Sequence, residues 1–142
     1  MSEIFGFDAY SPKEIAERVE NIGVAKARLP LMSQTTLGVL AGGFIGLGAL
    51  YFTLVTSDAT LSFAVSRLLA GLAFSLSLIL VVRAGAELFT GNNLLVMAWA
   101  GKRITTGELL ENWLIVYLGN MAGGGVMVAA VYYLVYHNHA GN

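Results

Sequence analysis

From Leu31 to Val55 the chain carries no charged residue. At about 1.5 Å per residue a helix over that run reaches ~37 Å, more than the ~30 Å hydrocarbon core of a bilayer, which predicts a membrane span. The composition agrees: 56% of the 142 residues are hydrophobic and 12% charged, against roughly 25% charged in soluble domains. A span must pair its own backbone groups, so the fold class is all-α.

A second apolar stretch, 61–100, is interrupted at 83–93 by Arg83-Ala-Gly-Ala-Glu-Leu-Phe-Thr-Gly-Asn-Asn93. Leu94 to Ala100 after it is too short to cross a bilayer alone, so the two flanks read as one span broken at depth. Backbone that leaves the helix inside a membrane persists only where protein buries it or where it lines a cavity. Discontinuous helices of that kind are the usual device by which transport proteins offer free backbone groups to an ion. Between soluble helices the same stretch would be a plain loop, but the apolar flanks argue for membrane. Arg83 and Glu87 are four apart, so a continuous helix would stack them as a charge pair, with Gly91 and Asn92 as further structural residues of the break.

A third span is expected over 112–136, preceded by a helix start at Thr106-Gly-Glu108 with Thr105 or Thr106 as cap. Gly42 and Gly46 lie one turn apart, as do Gly119 and Gly123, giving small-residue faces where two helix backbones can approach closely. Residues 1–30 hold an amphipathic helix that starts at Ser11-Pro12-Lys13-Glu14, with serine as cap and proline at the first helical position. Such a helix suits a membrane surface or a partner equally. This segment lacks the apolar core of a cleavable signal, so the first span is expected to serve as its own insertion signal.

Lys13, Arg18, Lys26 and Arg28 precede the first span, Arg67 follows it, and Lys102 and Arg103 precede the last. The positive-inside rule places the N-terminus in the cytoplasm and the tail 137–142 outside, in the plasma (inner) membrane. Arg67 reads as a headgroup anchor rather than a pore residue. The absence of cysteine excludes thiolate chemistry, no basic stripe points to nucleic acid, and no metal site is expected from His137 and His139. Neither paired carboxylates nor a nucleophile with a base suggests an enzyme, and no cofactor is implied.

The runs Glu87-Leu-Phe-Thr-Gly-Asn-Asn93, Gly101-Lys-Arg-Ile-Thr105, Asn112-Trp113 and Tyr117-Leu-Gly-Asn120 resemble the formate/nitrite transporter family. The resemblance extends from Leu31 to Tyr136. It implies an aquaporin-like helical bundle built from two inverted three-span repeats, assembled as a homo-pentamer with one pore per protomer. Carried over by motif, Leu88 and Phe89 narrow one constriction and Thr90 offers a hydroxyl to the passing anion, while Phe74 and Leu78 match the other constriction. Formate is the anion expected, with nitrite the alternative. This chain matches the first repeat only, and the family's pore histidine and its neighbouring asparagine have no counterpart here. It is therefore expected to be the N-terminal half of a transporter. The alternative is a non-conducting membrane scaffold or assembly subunit that uses the glycine faces to bind other helices.

Overall fold

The computed structural model describes residues 10–57 and 60–139, with side chains as far as Tyr133; Asp58 of the polar turn after the first span lies outside the described residues. These residues form six helices: α1 Pro12–Ala27, α2 Leu31–Thr56, α3 Phe63–Ala84, α4 Phe89–Asn92, α5 Leu95–Ala100 and α6 Thr106–His139. Three of them, α2, α3 and Thr106–Tyr133 of α6, are long and apolar enough to cross a membrane. The protein is thus an all-helical multi-pass membrane protein.

The helix starts follow from local chemistry. At α1 the Ser11 hydroxyl accepts from the Glu14 N–H, while the Glu14 carboxylate accepts from the Ser11 N–H and hydroxyl. Those bonds, the backbone one foremost, hold the Glu14 carboxyl below its ordinary value. The same reciprocal box opens α6, where Thr105 caps Glu108 and Glu108 accepts from the Thr105 N–H at 2.7 Å. Thr105 is therefore the cap. The helix it starts runs unbroken through Asn112, so the expected helix start and the third span are one element.

α2 packs along both α3 and α6, and the α2–α6 seam is close because glycine faces glycine. A Cβ added at Gly38 would stand 3.5 Å from the Gly119 Cα, and one at Gly42 would overlap the Asn120 carbonyl. From the other side, a Cβ at Gly123 would overlap the Val39 carbonyl. With no hydrophobic drive between helices in lipid, this backbone-level contact supplies the dispersion that holds them. On the α3 side Gly48 makes room for the buried Ser77.

α1 is not a free surface helix. Its Gly23 is buried against Leu95 and Ala98 of α5, and Val24 and Ala27 pack on the cluster of Leu95, Ala98, Ile104 and Leu109. Gln34 of α2 holds the other end of α1 by donating to the carbonyls of Lys26, Ala27 and Leu29. Arg103 donates to Asn21, and Arg28 pairs with Glu108 at 3.2 Å, tying α1 to the α5–α6 turn. One end of the bundle is therefore a layer made of α1, α5 and the start of α6.

Candidate functional site

The second span breaks after Ala84. Gly85 adopts φ 61°, a left-handed conformation open to glycine, and the N–H groups of Gly85 and Ala86 donate back to Val82 and Val81 to close the helix. Residues 86–88 then carry no regular structure, with Leu88 extended at φ −93° and ψ 127°, before the single turn of α4. The Glu87 N–H donates to the Leu37 carbonyl at 3.2 Å. Leu37 lies six residues into α2, so the break sits about 9 Å inside the bundle from the α1 end.

Asn120 supplies what the broken backbone lacks. Its Oδ1 accepts from the Phe89 N–H at 2.9 Å, and its Nδ2 donates to the carbonyls of Glu87 and Gly38, both at 2.8 Å. One amide thus pairs a freed donor and a freed acceptor on the break and ties them to α2. Each group left unpaired would cost about 1–3 kcal/mol. Trp113 does the same at α4's end, its indole N–H donating to the Asn92 carbonyl at 3.0 Å.

Below the break lies a buried polar cluster. The Glu87 carboxylate, 2% exposed as a residue, accepts from Asn92 Nδ2 at 2.6 Å and pairs with Lys26 Nζ at 3.0 Å. Lys26 also donates to Asn92 Oδ1, and Asn112 accepts from Asn92 and donates to the Lys26 carbonyl. A charge this deep persists only when paired and hydrogen-bonded, and here it is both. The expected Arg83–Glu87 pair does not form. That stacking needs a continuous helix, and the turn at Gly85 ends it three residues after Val82; Arg83 is left exposed. Gly91 also differs from expectation, since its φ is ordinary and a Cβ there would meet nothing within 4 Å; the glycine the break requires is Gly85.

The residues expected to form the two constrictions fall in two places. Leu88 packs on Ala41, Val81 and Ala86, and Phe89 stands edge-on to Trp113 and Tyr117, with ring centroids 6.3 and 5.5 Å away. Thr90, next along, is exposed. Phe74 reaches α2 at Gly48, and Leu78, one turn on, is 45% exposed. The sequence reading missed the role of Lys26, Asn112 and Asn120. Two of them stood in plain view as amides inside an apolar span, which is a signal in itself.

A bundle of spans with a broken segment pinned inside it by side-chain hydrogen bonds is an arrangement that membrane channels and transporters use. Residues 13–141 match the family described as formate/nitrite transporter, and the chain belongs to that family. It is 42% identical over 123 residues to the formate channel FocA of Escherichia coli K12, covering 86% of this chain and 43% of that protein. With FocA of Haemophilus influenzae the identity is 38%, covering 88% and 44%. A solved structure titled "FNT family ion channel" superposes with a TM-score of 0.73 at 30% identity, covering 86% of this chain and 49% of that one. The chain thus spans somewhat less than half the length of the curated relatives it matches.

Proposed function

We propose that this chain forms the N-terminal half of a pore that passes a small monovalent anion, formate first, across the plasma membrane. The observation that carries the reading is the break at Leu88-Phe89-Thr90, fixed by Asn120 well inside the bundle and placed in the motif of a family whose relatives include named formate channels. Leu88 and Phe89 form one hydrophobic narrowing and Phe74 with Leu78 the other. Constrictions of this kind exclude bulky or strongly hydrated ions by the cost of desolvation. Thr90, exposed beside Phe89, offers its hydroxyl to the anion in passage. A matching three-span half completes the pore, and five such units assemble.

The test is formate flux into vesicles that hold the chain together with its matching half. Thr90→Val keeps the shape and removes the donor, so flux is expected to fall about tenfold, the worth of one hydrogen bond to an ion. Folded yield should stay unchanged. Wild-type flux with no response to the substitution removes Thr90 from the path, and no flux at all removes the reading.

A further inference from the structure

Phe74 and Leu78 lie one turn apart on α3, yet they are backed differently. Leu78 is exposed, whereas the Phe74 ring edge rests on the backbone of α2 at Gly48. A Cβ added at Gly48 would stand 3.3 Å from Phe74 Cδ2 and would overlap the hydroxyl and Cβ of Ser77. Gly48 is buried, so the ring lies against main chain that has no side chain to move aside. Ser77, 2% exposed, spends its hydroxyl on the Phe74 carbonyl at 2.7 Å, which fixes it within the turn of α3 that carries the ring.

The other side of the ring is open. There Phe74 borders an apolar groove of about 370 Å³ that Ala49, Phe52, Thr53 and Gly71 also line. An added Cβ at Gly71 would meet nothing within 4 Å, so that side has room to receive a displaced ring. With rigid backbone behind and space in front, a ring pushed off α2 moves into the groove. Gly48 differs in this from Gly42, whose close contact is the Asn120 carbonyl of α6 and which serves the seam between those helices.

We propose that Gly48 is a positioning residue that sets the width of the passage at Phe74. This rests on the pore reading above, in which Phe74 lines the passage. With glycine at this position the ring lies back on α2 and leaves the groove clear. A methyl group in its place makes the ring yield by a few tenths of an ångström and displaces Ser77 further. Packed interiors have no slack to absorb such a shift, so it reaches the open side. In a dry constriction the lost width falls harder on an anion that carries an extra methyl group than on formate. Gly48 itself touches no anion and acts only through the ring.

Two measurements test this. In the chain alone, held in nanodiscs with ring-labelled phenylalanine, the Phe74 ring protons should show a nuclear Overhauser contact to the Gly48 Hα. Absence of that contact in the wild type overturns the seat. In vesicles that hold the chain with its matching half, Gly48→Ala should cut formate flux about threefold and acetate flux about tenfold, raising the formate-to-acetate ratio about threefold. Gly48→Ala also crowds Ser77 and so lowers folded yield. The double variant Gly48→Ala/Ser77→Gly removes that overlap and leaves the ring as the close neighbour, so it should recover yield and keep the raised ratio. A wild-type ratio in the double variant means that Gly48 serves helix spacing alone, and it overturns the proposal. Absence of any wild-type flux refutes the pore and takes the width role with it, whereas wild-type flux with an unchanged ratio in Gly48→Ala refutes the width role alone.

Discussion

Glu87 and Lys26 carry different burdens although they form one pair. The Glu87 side chain is 3% exposed and that of Lys26 28%, so removal of the cation strands a charge with no access to water, whereas removal of the carboxylate leaves an ammonium that can reach solvent. Lys26→Met is therefore expected to cost about 3 kcal/mol and Glu87→Gln about 1–2, with the double variant less damaged than the sum of the two. Unfolding in mixed micelles, read by helix signal, gives all three values. Equal single costs that simply add would show that the two residues act apart. Little of this pair was legible in the sequence, because Lys26 meets the break across a separation of 66 residues to Asn92, and no local period reports such a contact. Glu87 itself was visible as a charge in an apolar run. Its natural partner by spacing was Arg83, and that inference failed through one glycine whose left-handed turn ends the helix.

At the scale of elements, the apolar runs and their glycines told most of the story. The first span, the interruption of the second and the small-residue faces at Gly42–Gly46 and Gly119–Gly123 all follow from hydropathy and one-turn spacing. What spacing does not reveal is which glycine is pressed. Gly42 meets the Asn120 carbonyl, while its neighbour Gly43 has nothing within 4 Å of a Cβ. Gly42→Ala should thus push α2 from α6 and cost about 2–3 kcal/mol, and it should also disturb the amide that holds the break. Gly43→Ala should be neutral or mildly stabilising, since alanine is the better helix former by about 1 kcal/mol. Thermal unfolding of both variants in one detergent decides the matter; similar losses would mean that the seam is looser than its geometry. The start of α6 was legible for the same local reason as α1, a cap and an acid three residues later.

The whole molecule is polarised along its axis. α1 and the α5–α6 turn lie together at one end, joined by Arg103 to Asn21 and Arg28 to Glu108, and that layer gathers Lys13, Arg18, Lys26, Arg28, Lys102 and Arg103. The opposite end holds Arg67. Charge counted in short loops sets the orientation of membrane helices, so the α1 layer should face the cytoplasm. That asymmetry was already readable from the order of charges, but its force comes from the fold, which makes two separated segments one basic surface. Because the chain has no cysteine, single cysteines report sidedness without background. Ser57→Cys, exposed at the end of α2, should react with an impermeant maleimide in right-side-out membrane vesicles. Lys102→Cys, exposed in the α5–α6 turn, should react only after the vesicles are opened. The reverse pattern would put α1 outside. It would also turn Arg67 toward the cytoplasm, so the same two labels decide which side of the membrane the α2–α3 turn faces.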